Sequence, residues 1–349
     1  MDTYKVGKLA NTNQITLTDT EEIAIENYVH SPQDAQTAFV RLAEMIFDTP
    51  GIPIGSTLLD MFIYPNRPGW VRTWIARPGE LKSTMLRIIA KNEALRIVRD
   101  GEQDEKYVAF ITYEEAVDTQ ELHFQEKVGY TNDDFWKGLV SPKQATRSSI
   151  NRINLPIWWF GDSMLKSTLA PPPMTINMVL AGIKAIEKAH GLVPSLILLD
   201  YIQEIQVERD TGEKRTQKII DGMGDLIRLG EIVGAPVELG SQAKQTSADK
   251  APPIPGPRDG EYSYYPEQKS TGVNGIWRVW NTHRDDVNMQ REGLKLTGWR
   301  THFDLTPHLT VFRPAKARHT LLKMPVPVLV DPTTLTVTDI PEAVYELQR

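Results

Sequence analysis

The 349-residue chain carries 39 Lys and Arg against 45 Asp and Glu, a formal net charge of −6, so nucleic-acid contact, if any, has to come from local loops and not from a basic surface as a whole. It has no cysteine, which excludes disulfides, thiolate metal sites and cysteine nucleophiles. No apolar run approaches the roughly 18 residues of a membrane span, and the first five residues, Met1 to Lys5, lack the basic-then-apolar order of a signal peptide, so a cytoplasmic protein with no membrane partner is expected.

Residues 1–20 read as a polar tail. Further on, Ala35, Ala38, Phe39, Leu42, Ala43, Ile46 and Phe47 recur at helical spacing and predict an amphipathic helix ending near Asp48. Its apolar side either packs on its own domain or docks on a neighbouring subunit. Residues 49–53 break that helix. The expected organisation is a tail and linker helix over 1–50, then one large α/β domain over 51–349.

A strand over 71–75 runs into Pro78-Gly79, and Lys82-Ser83-Thr84 opens a basic helix over about 83–99. Arg87, Lys91, Arg96 and Arg99 read as the solvated face of that helix. The layout is that of a phosphate-binding loop: backbone N–H groups ring the phosphates, a Lys neutralises them and a hydroxyl holds Mg²⁺. The usual spacing is G-x-x-x-x-G-K-S/T, and here Ala76 and Leu81 stand at the two glycine positions.

A buried strand over 107–112 ends in Glu114-Glu115. Helices and loops follow over 116–150, then a strand over 155–160 whose Trp158 and Trp159 are expected in a core or interface. After a loop at 171–175 and a helix to about His190, four apolar residues lead into Asp200. A helix over 214–233 precedes a strand, 235–240, that ends in Ser241-Gln242. Residues 243–272 are rich in Pro, Gly and Tyr, and a loop of that length is usually functional or disordered. Further strands are expected at 276–280 and 309–312, and a terminal hairpin at 326–337. Strand and helix alternate from about residue 70 to 285, which predicts a mainly parallel sheet with helices on both faces. Ligands of such sheets sit at the carboxyl ends of the strands.

Those ends carry Lys82 and Ser83, Glu114, Asp200 and Gln242. Singly, an acid after an apolar strand is most often a solvated strand end, and a Ser-Gln pair means nothing. Together they describe hydrolysis of a nucleoside triphosphate. Lys82 would contact the β- and γ-phosphates, Ser83 would bind Mg²⁺ and Asp200 would hold it through water. Glu114 would polarise the attacking water and Gln242 would sense the γ-phosphate.

Gly51-Ile52-Pro53-x-Gly55 with Leu59-Asp60, Ala76-Arg77-Pro78 with Lys82-Ser83, Leu199-Asp200-Tyr201-x-Gln203 and Ser241-Gln242 together resemble the motor domain of DnaB-type replicative helicases, which are hexameric RecA-like ATPases. The resemblance covers about residues 50–335 and implies a RecA-like P-loop core. It implies ATP on the loop Ala76, Arg77, Pro78, Gly79, Glu80, Leu81, Lys82, Ser83 and Thr84, with Mg²⁺ at Ser83 and Asp200. Thr112-Tyr113-Glu114-Glu115 resembles the segment whose Glu is the catalytic base, and Thr282-His283-Arg284-Asp285 the family's strand-end His-Arg-acid segment. Lys316 and Arg318 resemble the pair that reaches a neighbour's γ-phosphate as an arginine finger. The implied partners are single-stranded DNA, further copies of the chain in a hexameric ring, and replication or mobile-element proteins.

Three departures stand out. Leu81 replaces the last loop glycine, where a branched side chain resists the required conformation. Only a tail and one helix precede Gly51, so primase binding is not carried over. Residues 244–271 form a longer Pro- and Tyr-rich loop with Lys244, Lys250, Arg258 and Lys269, either solvated or, with its tyrosines, suited to the backbone and bases of a single strand. The rival reading is a KaiC- or RadA-like ATPase switch with weak hydrolysis that assembles or recruits partners without unwinding.

Overall fold

Alternation along the parallel strands decides which helix covers which face. Strands β1 (Val71–Ala76), β2 (Lys106–Thr112), β3 (Ile157–Phe160), β4 (Val193–Asp200), β5 (Val237–Gln242) and β6 (Gly272–Arg278) pair in parallel. In the computed structural model, which describes residues 31–48, 51–125, 130–149, 152–163, 174–206, 214–244, 254–317 and 324–347, they lie in the order β6-β1-β5-β4-β2-β3. Side chains two apart share a face. Val108, Phe110, Leu196 and Leu198 fall in one core with Met85, Leu86, Ile88 and Ile89, whereas Ala109, Ile111, Ile197 and Leu199 fall in the other with Val179, Ile183, Met223 and Leu226. Both faces are therefore covered, and the strands read as unbroken apolar runs.

In chain order the helices are α1 (Pro32–Asp48), α2 (Thr57–Phe62), α3 (Lys82–Arg99), α4 (Val117–Phe124), α5 (Asn132–Trp136), α6 (Pro142–Ser149), α7 (Ile176–His190), α8 (Arg215–Val233), α9 (Tyr265–Lys269), α10 (Val279–His283), α11 (Val287–Glu292) and α12 (Pro341–Leu347). Helix α3 covers one face of the parallel strands, and α7 and α8 cover the other. Three antiparallel strands, β9 (Leu309–Ala317), β10 (Val326–Asp331) and β11 (Thr336–Asp339), extend the sheet beyond β6, and β7 (Leu294–Lys295) pairs separately with β8 (His302–Phe303). Residues from Gly51 onward form one compact unit. Helix α1 belongs to a separate unit; Ser31 and Asp34 cap its start reciprocally, and Phe39, Ile46 and Phe47 on it are exposed.

The expected strand at 276–280 instead begins at Gly272 and ends at Arg278, and residues 279–283 are helical. Gly275 is the reason the strand is hard to read: a Cβ there would lie 2.1 Å from the Pro255 carbonyl oxygen, so a loop backbone takes the place of an apolar side chain. The solvated face expected on α3 also needs correction. Arg87 is buried, donating from Nε to Gln120 and from Nη2 to Glu115 at 2.8 Å each. Trp159 lies in the core, 4.8 Å from the Phe110 ring.

Candidate active site

The candidate strand ends come from β1, β2, β4 and β5 in sequence, and the sheet order β1-β5-β4-β2 stands them in one row. Ala76 pairs with Gln242, and Thr112 with Asp200. The loop from β1 to α3 closes a cleft of about 440 Å³ bounded by residues 77–84, Glu114, Tyr201 and Gln242.

Within the loop the Glu80 N–H donates to the Arg77 carbonyl, Gly79 lies at φ 76°, and Leu81 takes the left-handed conformation at φ 67°, ψ 17°. Leu81 ends in the geometry a glycine would adopt freely, with its side chain resting against the core. From there α3 begins, and the first-turn N–H groups of Lys82, Ser83 and Thr84 have no partner within the helix. Those N–H groups and the helix dipole attract an anion. Asn281 on α10 braces the loop from the far side, its Nδ2 donating to the Gly79 carbonyl.

Lys82 is the centre of the row. Its Nζ lies 2.9 Å from Asp200 Oδ1, 3.8 Å from Glu114 Oε2 and 3.6 Å from the centre of the Tyr201 ring. Gly240 leaves room for this arrangement: a Cβ would sit 3.2 Å from Lys82 Cδ and 3.3 Å from Asp200 Oδ1. Burial would push the Asp200 carboxyl up; the Lys82 charge, hydrogen bonding from Ser83 and Lys82, and the Arg87 charge outweigh it and hold the group below its ordinary value. Asp200 is thus an ionised carboxylate in the interior. Its Oδ2 is buried and has no hydrogen-bond partner among the described residues. An orphaned carboxylate oxygen close to a serine hydroxyl suits a hard divalent cation with a water shell, so Asp200 and Ser83 fit Mg²⁺.

Glu114 and Glu115 separate clearly. Glu114 faces the cleft half-exposed, and partial burial raises its carboxyl, opposed by Lys82 and reinforced by Asp200. Glu115 turns away to Arg87, with His123 4.0 Å from it. Glu80 is buried, and burial pushes it up to about 7 against the charge and backbone N–H of Arg77.

Gln242 is fixed through its backbone. Gln203 Oε1 accepts its N–H at 3.0 Å, and Gln203 Nε2 donates to its carbonyl at 3.2 Å. Gln203, Tyr201, Asn281 and Arg87 are site residues missed by reading strand ends alone. The signal for Gln203 was present in Asp200-Tyr201-x-Gln203; Asn281 had none, because it arrives from a helix about 200 positions away.

Lys316 is not part of this row. It pairs with Val273, level with Thr73, three residues before the end of β1 and so about 10 Å below the loop. Its Nζ donates to the carbonyls of Glu267 (3.0 Å) and Gln268. Arg318 and Lys250 lie outside the described residues. Lys244, Arg258 and Lys269 are exposed, with Lys269 over the Tyr265 ring at 5.4 Å. The described part of the long loop folds onto the end of β5: Ala243 bridges Gly260, and Glu261 N–H donates to the Gln242 carbonyl at 2.8 Å. Arg215 on α8 stacks 4.4 Å over the Tyr262 ring beside it.

A parallel sheet with helices on both faces and a phosphate-type loop after the first strand is a RecA-like α/β core. No family model matches the sequence, and no curated protein matches it. Among solved structures the chain is similar to the ATPase domain of one DnaB-like replicative helicase, at 17% identity and TM-score 0.65, covering 87% of this chain and 98% of that one. It is also similar to a second DnaB-like replicative helicase, whose structure was described with its interactions with primase, at 16% identity and TM-score 0.64, covering 92% and 71%. At such identities the likeness establishes the fold, that of DnaB-type motor domains. Among the described residues no helix is long and apolar enough to cross a membrane.

Proposed function

We propose that the chain is an Mg²⁺-dependent ATPase motor of the DnaB type that assembles as a ring, with ATP at subunit interfaces, and moves along single-stranded DNA. The observation that carries this reading is the row Lys82, Asp200, Glu114 and Gln242 around one cleft at the start of α3.

Lys82 would exchange its carboxylate contacts for the β- and γ-phosphate oxygens of ATP. Ser83 and Asp200 would hold Mg²⁺, which supplies charge neutralisation across the β- and γ-phosphates. Glu114, raised by partial burial, would take the proton of the attacking water; a base with a raised pKa is better matched to neutral pH. Gln242, its backbone clamped by Gln203, would meet the γ-phosphate from a fixed position. Lys316 lies too far below its own loop to act there, which supports a role, with Arg318, toward a neighbour's nucleotide. Lys244, Lys250, Arg258 and Lys269, with Tyr262 and Tyr264, would supply phosphate contacts and stacking to a single strand.

Leu81 supports a second reading, a slowly hydrolysing switch, because its left-handed conformation is one that a leucine resists. The test is steady-state ATP hydrolysis with and without single-stranded DNA, sizing with an ATP analogue, and strand displacement. DNA-stimulated turnover, lost in Lys82→Ala and Glu114→Gln, together with a nucleotide-dependent oligomer and unwinding, is expected of the motor. Assembly without unwinding favours the switch. Absence of both assembly and DNA-stimulated hydrolysis refutes the motor.

A further inference from the structure

Glu267 is a buried acid that the site chemistry above does not use. It sits in α9 with no exposed surface, and its Oε1 accepts the Ser241 hydroxyl at 2.6 Å. Its Oε2 has no hydrogen-bond partner among the described residues. A carboxyl group in such a place costs stability unless its bonds are needed.

What it touches links three segments. Ser241 Oγ in turn accepts from Gln203 Nε2 at 3.1 Å, and the same Gln203 amide clamps both backbone groups of Gln242. The Glu267 carbonyl accepts from Lys316 Nζ at 3.0 Å, and the next carbonyl, that of Gln268, accepts from it too. On its third side the carboxyl packs against Gly260, where a Cβ would stand 2.9 Å from Oε2. Gly260 belongs to the loop segment that pairs with the end of β5.

We propose that Glu267 is a positioning residue that sets Gln242 and Lys316 together. Through Ser241 and Gln203 it fixes the strand end facing the chain's own phosphate loop, and through its backbone it holds the lysine assigned to a neighbouring site. One buried carboxyl would then keep two catalytic edges of a subunit in step. Burial pushes the group up to about 7, with Ser241 and Lys316 lowering it and Asp259 raising it, so a neutral amide is a close substitute for it near neutral pH.

The inference rests on the ATPase reading, and the experiment separates the two. ATP turnover is measured for the full chain and for Lys82→Ala, Glu267→Ala, Glu267→Gln and Ser241→Ala, with binding of a fluorescent ATP analogue and thermal melting for each. Wild-type turnover that is lost in Lys82→Ala upholds the ATPase reading; no wild-type turnover removes that reading and this proposal with it. Given turnover, Glu267→Ala and Ser241→Ala should each lower kcat about tenfold while KM stays within about twofold. Glu267→Gln should recover most of the loss. If Glu267→Ala fails to fold, Ser241→Ala still decides, because it removes one hydroxyl from the chain of contacts. A Ser241→Ala enzyme with wild-type kcat, or a Gln variant as slow as the Ala variant, overturns the proposal.

Discussion

Replacing Leu81 by glycine separates backbone strain from side-chain packing within the phosphate loop. Leu81 sits at φ 67°, ψ 17°, where a non-glycine residue loses about 1–2 kcal/mol. Glycine recovers that strain, but it gives up the packing of a partly buried leucine, about 1 kcal/mol, and adds about 0.5–1 kcal/mol of unfolded-chain entropy. These terms nearly cancel, so Leu81→Gly should melt within a few degrees of wild type. Leu81→Ala keeps the strain and also loses the packing, so it should fall about 1–2 kcal/mol below wild type. Glycine more stable than alanine is the reverse of the order at an ordinary helical position. Urea unfolding of the three proteins measures it, and alanine matching or exceeding glycine would refute the strain argument. Turnover provides the functional half. A loop free to approach phosphate should hydrolyse ATP faster, by roughly 3–10-fold if about 1 kcal/mol of strain is felt in the transition state. No gain would mean that Leu81 does not slow the site.

Glu80 gives a stability slope with pH. Its carboxyl is raised from 4.5 to about 7 by burial, so the folded chain holds its proton more tightly than the unfolded one. Its contribution is complete below pH 4.5 and is lost as pH rises through 7, about 3 kcal/mol in all. Glu80→Gln should therefore match wild type near pH 5 and exceed it at pH 8 in chemical denaturation; equal stabilities at both pH values would contradict this. Gly240→Ala should place a methyl against the Lys82 stem and Asp200, cost about 1–3 kcal/mol in stability and lower turnover by about tenfold. Wild-type kinetics would show that the lysine moves aside freely. Glu238 is buried and accepts from both Arg72 Nε (2.9 Å) and Trp74 Nε1 (2.6 Å). Glu238→Ala should cost about 3–5 kcal/mol by stranding the buried guanidinium, and a smaller loss in a melting experiment would mean that water reaches Arg72.

Local information was enough for much of the fold. The runs over 107–112 and 196–199 are short, apolar and bounded by polar gaps, so β2 and β4 were legible, and so was α8 with Ile219, Met223 and Leu226 on one side. Lys82, Glu114, Asp200 and Gln242 could be named because a parallel sheet presents its strand ends to ligands, whatever the order of its strands. Other features had no local signature. Strand β6 was misplaced because glycine and asparagine fill it where the backbone of Pro255 covers the sheet. Arg87 read as solvated because a charge on a helix normally is; Glu115 and Gln120 bury it.

By itself the sequence determined the alternation of strands and helices, the phosphate-type loop and the identity of the acids that follow the strands, since each of these depends on neighbours within a few residues. Tertiary structure decided which of these residues meet. The order β1-β5-β4-β2 brings Lys82 within 2.9 Å of a carboxylate 118 positions away, and a glycine on the intervening strand makes the space for it. It also decided that Glu114 faces the cleft while Glu115 does not, and that Lys316 is held by carbonyls of α9 well below its own phosphate loop. Such contacts are set by packing between distant segments, and the periodicity of one segment carries no record of its partner.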